Sequence, residues 1–291
     1  MARIVITGAK GQLGRSLMDA ASRFSVHELY GYDIDQLDIT DTQVLHQMAK
    51  ETGATVLINC AAYTAVDQAE QEEEKAMAIN RDAVTGLVEV CSQLKINLIH
   101  ISTDYVFDGE AKTPYREEDR PNPLSVYGAS KWAGERVALS YRKGVVVRTS
   151  WLYTVTGNNF ISAILRLGVE KEELRVVTDQ ISTPTYGPHL AQALLTMVEQ
   201  IEASKTPDSL MGLYHFANRG FCSRFKFAKK IKEYSGFKAD IKPISSLDYP
   251  TPAQRPTWSV LDTNKIKTTF GIVPNDWEDG LQDYFNQLNN N

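Results

Sequence analysis

An α/β fold is predicted here: a doubly wound parallel sheet with a smaller α/β lobe for substrate. Three observations predict it. Short apolar runs alternate with helical spacing from residue 3 to residue 149, at the interval of right-handed strand–helix–strand crossovers. A glycine-rich turn, Thr7-Gly8-Ala-Lys-Gly11-Gln12-Leu13-Gly14, joins the first apolar run to the first helix. Past residue 150 the alternation loosens, and proline and aromatic residues become more frequent.

Taken in order, Arg3-Ile-Val-Ile-Thr7 is the first strand and Gln12–Ser22 carries helical spacing. Glu28–Tyr32 is a strand, Thr42–Glu51 a helix and Thr55–Asn59 the third strand. A long helix covers Glu72–Leu94, and the acidic run Glu70–Glu74 reads as its solvated first turn, favoured there by the helix dipole. Asn97-Leu-Ile-His-Ile-Ser-Thr103 is an apolar strand ending in hydroxyls, with His100 as a structural histidine inside it. A helix around Tyr127 and the strand Gly144–Thr149 follow. Helices come next at about Phe160–Gly168, His189–Ile201, Arg224–Tyr234 and Trp277–Leu288. Residues 1–150 therefore read as a dinucleotide-binding domain, rejoined by about 185–205. Residues 151–291 read mainly as a substrate-binding lobe over the carboxyl edge of the sheet, where ligands of such sheets bind.

The net charge of −5 and pI near 5.6 speak against nucleic acid or an anionic membrane as partner. No apolar run reaches the ~18 residues of a membrane span. Met1-Ala-Arg-Ile-Val-Ile enters a strand at once, so no signal peptide and a cytoplasmic location are expected. Cys60, Cys91 and Cys222 are odd in number and far apart, which suits buried thiols better than disulfides or a metal site.

The glycine turn lets backbone amides approach a pyrophosphate at a helix N-terminus. Its spacing is Gly-x-x-Gly-x-x-Gly, looser than the strict dinucleotide fingerprint, and its position after the first strand carries the reading. Asp33, after the second strand, is placed to meet an adenosine ribose. Ile34 follows it where a 2′-phosphate would want a cation; the expected cofactor is NADH or NADPH, leaning to NADH. Tyr127-Gly-Ala-Ser-Lys131 puts a phenol and an ammonium one helical turn apart. With the hydroxyl of Thr103 at the sheet's end, that trio suits proton transfer to a substrate oxygen during hydride transfer. A second match, Tyr234-Ser-Gly-Phe-Lys238, has a helix-ending glycine within it and reads as chance.

Thr7–Gly14, Asn59-Cys-Ala-Ala-Tyr-Thr-Ala-Val-Asp67, Ser102-Thr-Asp-Tyr-Val-Phe-Asp-Gly109 and Tyr127-Gly-Ala-Ser-Lys131-Trp-Ala-Gly-Glu135 occur in that order. With Arg148-Thr-Ser-Trp151, Asn158-Asn-Phe160, Asp179-Gln180, Pro184-Thr185 and Arg255-Pro256, the whole chain resembles the extended short-chain dehydrogenase/reductases. Within them it resembles the family of dTDP-4-dehydrorhamnose reductases. The resemblance implies NAD(P)H-dependent reduction of the 4-keto group of a dTDP-keto-deoxysugar, giving dTDP-L-rhamnose. It implies Thr103, Tyr127 and Lys131 as the catalytic trio. Around the cofactor it implies Gly8, Gly11, Gln12, Leu13, Gly14, Asp38, Ile39, Ala61, Ala62, Tyr63 and Lys131. Near the sugar it implies Asp104 and Trp151. A substrate diphosphate needs a cation in the lobe, and Arg255, fixed before Pro256, is the candidate. One departure is the glycine-free turn Gln180-Ile-Ser-Thr-Pro-Thr185, where relatives more often carry glycine.

Tyr105 separates this chain from the nucleotide-sugar 4,6-dehydratases it also resembles, which place a glutamate after Thr-Asp as acid or base. Open alternatives are a nucleotide-sugar epimerase, a reductase of another dTDP-keto sugar, and a non-catalytic NAD(P)-binding subunit like the regulatory subunit of methionine adenosyltransferase. A homodimer is a further expectation, and no metal site is read.

Overall fold

Continuous apolar runs such as Val145-Val-Val147 are buried on both faces, which is the signature of parallel strands covered by helices on either side. The computed structural model describes residues 1–20 and 27–290. Strands β1 (Arg3–Thr7), β2 (Glu28–Tyr32), β3 (Val56–Asn59), β4 (Asn97–Thr103) and β5 (Gly144–Thr149) all form. They run parallel in the order β2-β1-β3-β4-β5, with Gly212–His215 added beside β5 as a sixth parallel strand. The chain reverses direction across the sheet between β1 and β3, so a crevice opens there beyond the strand carboxyl ends.

Helices Gln12–Ala20 and Thr42–Glu51 form as the spacing predicts, the second capped by the Asp41 carboxylate on the amides of Gln43 and Val44. The expectation for Gln12–Ser22 includes residues 21 and 22, which lie outside the described residues. One face of the sheet packs on Leu190, Leu194 and Val198 of helix Gly187–Ala203, and the other on Leu45, Val84, Leu87 and Val90. A separate core joins Ile161, Leu174, Phe227, Trp277 and Tyr284 in the lobe.

Three expectations change. The helix over 72–94 is divided into Glu73–Met77, a π-helical turn at Ala78–Asp82 and Ala83–Leu94. A short helix, Val66–Ala69, precedes it. Strand Gly212–His215 and helix Asn264–Phe270, left in the lobe by the sequence reading, pack on the main sheet through Tyr214, Ile266 and Phe270. Each is too short to show a period, and its place is fixed by pairing with distant chain. At 180–185 no residue needs a positive φ, so the missing glycine is accommodated: Ile181–Ser182 pairs with Cys222–Ser223.

Candidate active site

Along the crevice lies a cleft of about 850 Å³. Gly8, Gly11, Gln12, Leu13, Gly14, Asp33, Asp38, Ile39, Ala61 and Ala62 line it, together with Thr103, Asp104, Tyr127, Lys131 and Trp151. Two expected residues are not in its lining: Tyr63 and Arg255.

The glycine turn is built for close approach. Gly8 has φ +67°, and a Cβ on Gly14 would stand 2.2 Å from the Gly8 carbonyl oxygen, so helix Gln12–Ala20 abuts the turn directly. A Cβ on Gly11 would meet only that same oxygen, at 3.1 Å. Gln12 reaches from the turn to the lobe, its side-chain oxygen accepting from Asn159 Nδ2 at 2.9 Å. Asp33 accepts from the Lys10 amide at 2.7 Å, which holds the turn against the end of β2. These residues fit a dinucleotide: open backbone at a helix N-terminus, and a carboxylate beyond β2. Ser102 and Thr149 also line the cleft with buried hydroxyls that have no hydrogen-bond partner within the protein, which suits a polar ligand.

Tyr127 and Lys131 owe their places to a cap. Ser125 accepts from the Gly128 amide and starts helix Val126–Ser140, with Tyr127 in its first turn and Lys131 one turn on. Burial raises the Tyr127 phenol above its ordinary value, and the adjacent Thr103 hydroxyl pulls it back. The phenol is therefore a protonated donor at neutral pH. Burial also lowers Lys131 to about 8, opposed by the negative charge of Glu135. Lys131 Nζ donates to the Ile101 carbonyl at 2.7 Å. Four residues on, Glu135 is held in a buried bidentate pair with Arg148, at 2.7 and 2.8 Å. Tyr105 packs edge-on to Tyr127, ring centroids 5.7 Å apart, and burial raises its phenol too. It offers no acid to match the glutamate of a dehydratase.

Some of the residues that fix this geometry escaped the sequence reading. The π turn aims Asn80 inward, where its oxygen accepts from the Tyr63 amide at 2.9 Å and its nitrogen donates to Ser130 at 2.9 Å. Asn80 thereby ties the loop bearing Ala61 and Ala62 to the helix bearing Tyr127. Gly134 permits this: a Cβ there would stand 2.0 Å from the Asn80 carbonyl oxygen. Glu70, expected to be solvated, accepts from the Val126 amide at 2.9 Å, and Glu72 accepts from the Tyr63 hydroxyl at 2.8 Å. Tyr63 thus supports the loop from behind, with its side chain buried away from the cleft.

Asp104 is buried, and burial raises it to about 6 against the pull of hydroxyl donors. Ser259 and Ser182 both donate to its Oδ2, which brings three distant segments together. Trp151 has φ 43°, an uncommon backbone state for a bulky residue, and sits on the cleft wall. The Arg224 guanidinium lies 3.5 Å from its ring centroid and 4.8 Å from that of Phe160. Arg224 lines the cleft; Arg255 is outside the lining but hydrogen-bonds Tyr105, a cleft residue, and is electrostatically coupled to Arg224. Arg255 forks onto Asp67, at 3.0 and 2.7 Å, and holds that carboxyl below its ordinary value. This partner stands 188 residues away in sequence. His100 is fully buried and hydrogen-bonds Asn59, as a structural histidine should. Burial pushes Cys60, Cys91 and Cys222 each up to about 12, so all three stay protonated thiols at neutral pH, with Cys60 half-buried on the cleft wall.

Residues 2–290 match a family model described as RmlD substrate binding domain. A dTDP-4-dehydrorhamnose reductase of Aggregatibacter actinomycetemcomitans is 40% identical over 289 residues, covering 97% of this chain and 98% of that protein. The crystal structure of a dTDP-4-dehydrorhamnose reductase from Clostridium acetobutylicum matches with TM-score 0.92 at 36% identity, over 99% of each chain. That of the Bacillus anthracis dTDP-4-dehydrorhamnose reductase in complex with NADP matches with TM-score 0.92 at 38% identity, over 98% of this chain and 99% of that one.

Proposed function

This chain belongs to the RmlD substrate binding domain family, and we propose that it is an NAD(P)H-dependent reductase of dTDP-4-dehydro-L-rhamnose, producing dTDP-L-rhamnose. The observation that carries the reading is the gathering of Thr103, Tyr127 and Lys131 in the same cleft as the glycine turn. The cofactor, when bound, supplies a hydride to carbon 4 of the sugar. Everything else falls to the chain. Gly8, Gly11 and Gly14 present bare backbone to the pyrophosphate, and Asp33 meets the adenosine ribose.

Tyr127 gives its proton to the oxygen of the keto group, a task suited to a phenol that burial keeps protonated. Thr103, whose single O–H donates to Asp104 in this structure, turns it to the same oxygen when the sugar binds. Lys131 holds a positive charge near the phenolate that remains below pH about 8. Asp104 and Trp151 orient the sugar. No helix of the described residues is long and apolar enough to cross a membrane.

The test is direct. Adding the 4-keto sugar nucleotide to protein and NADPH should consume the NADPH absorbance and yield the 4-hydroxy product by chromatography. Protein that binds NADPH but consumes none with this sugar would refute the assignment.

A further inference from the structure

We propose that Arg224 is the residue that receives the diphosphate of the sugar nucleotide, an inference that rests on the reductase reading above. Three cationic side chains line the cleft: Lys10, Lys131 and Arg224. Lys10 belongs to the glycine turn, and its ammonium is 2.6 Å from Asp35. Lys131 is committed to the proton-transfer trio and donates to the Ile101 carbonyl. Arg224 is what remains for a second dianionic group, and it stands on the lobe side, away from the glycine turn.

Its setting is that of a built anion receptor. Ser223 caps helix Arg224–Ser235, so Arg224 is fixed at the first helical position. Its guanidinium plane is held against Trp151 and Phe160, both aromatic and both contributed by the segment after β5. Rings on a guanidinium's faces leave its N–H donors to act in the plane: one hydrogen-bonds the Tyr105 hydroxyl, and those that remain keep a fork that matches two phosphate oxygens. No carboxylate of the described residues lies within salt-bridge distance of it, in contrast to the Arg255–Asp67 pair. Its ionisable neighbours are Tyr105 and Asp104 at the sugar end of the cleft, with Cys222 and Arg255 beyond the lining. The unusual backbone at Trp151 gains a reason: it turns the indole to the position where the guanidinium is stacked.

The inference separates the diphosphate from the nucleoside. NADP⁺-loaded protein is titrated calorimetrically with dTDP and with thymidine, in the wild type and in Arg224→Gln and Arg224→Lys. Wild type should bind dTDP far more tightly than thymidine, with an affinity that falls as salt rises. Arg224→Gln should lose about ten- to a hundredfold toward dTDP, the worth of one or two charge-assisted hydrogen bonds, and leave thymidine and NADPH affinities unchanged. Arg224→Lys keeps the charge without the fork and should recover only part of the loss. Unchanged thymidine and NADPH binding certifies the fold of each variant; if the glutamine variant does not fold, the lysine variant carries the comparison. Wild-type affinity for dTDP in the variant that folds overturns the inference while leaving the reductase reading intact. Wild type that binds dTDP no better than thymidine overturns both.

Discussion

Two glycines of one turn should fail in different ways. At Gly14 an added Cβ would stand 2.2 Å from the Gly8 carbonyl oxygen and 2.6 Å from the Ala9 Cα, against an ordinary contact of 3.4–4 Å. Both obstacles are backbone, so no side chain can rotate aside, and the turn must separate from the helix by more than an ångström. Overpacking of this kind costs about 1–3 kcal/mol, and a clash with backbone on both sides belongs at the upper end. A loss of about 3 kcal/mol lowers Tm by roughly 5–10 °C in a chain of this size. At Gly11 the same Cβ meets one atom at 3.1 Å, which a shift of a few tenths of an ångström relieves. Gly11→Ala should leave Tm within about 2 °C, because the clash offsets the ~0.4–1 kcal/mol that glycine replacement gains through the unfolded chain. Its methyl group stands instead where the pyrophosphate must come close, and NADPH affinity should fall about tenfold or more. The assay pairs thermal unfolding with NADPH fluorescence titration for both variants. A Gly14→Ala protein as stable as wild type, or a Gly11→Ala protein with undiminished NADPH affinity, would refute the reasoning.

Other predictions test the charges around the site. The folded-state pKa of Asp104 is raised from 3.8 to about 6, so its contribution to stability is complete below about pH 4 and is lost as pH rises through about 6. Asp104→Asn should therefore stabilise the fold by about 2–3 kcal/mol near pH 8 and not near pH 4, by pH-resolved denaturation; a gain independent of pH would contradict the burial argument. Turnover should decline as pH rises through about 8, where Lys131 loses its proton. A rate constant that stays flat two units above that point would remove the ammonium from the mechanism. Arg255→Ala and Asp67→Ala should be non-additive by about 1 kcal/mol in a double-mutant cycle. Arg255→Ala should raise the sugar-nucleotide KM less than Arg224→Gln does, and the reverse order would restore Arg255 as the diphosphate's cation.

What the sequence disclosed and what it hid divide along physical lines. Strand β5 was legible because Val145-Val-Val147 must be buried on both faces, and the glycine turn because its residues adjoin in the chain. Tyr127 and Lys131 were legible because helical geometry alone puts them together. Thr103 joins them only through tertiary packing, and it was found because it ends an apolar strand. Strand Gly212–His215 was hidden, since four residues carry no period and its partner is β5. The π turn that delivers Asn80 was hidden because it interrupts a helix whose apolar spacing continues on both sides. Arg224 looked like one cation among several at the start of a basic helix. Only the fold brings Trp151 and Phe160 onto its faces. The ion-pair partner of Arg255 was hidden for the same reason, Asp67 being distant in sequence and near in space.

The central claim is that the Tyr127 phenol protonates the oxygen of a 4-keto sugar nucleotide. Steady-state turnover of dTDP-4-dehydro-L-rhamnose with NADPH, compared between wild type, Tyr127→Phe and Tyr234→Phe, tests it most directly. Tyr234 lies in the chance copy of the motif, exposed and stacked on Phe285 outside the cleft. Tyr127→Phe should bind NADPH as wild type does yet lose about 10²–10⁴-fold in kcat, while Tyr234→Phe keeps full turnover. A Tyr127→Phe protein with near wild-type kcat would contradict the account.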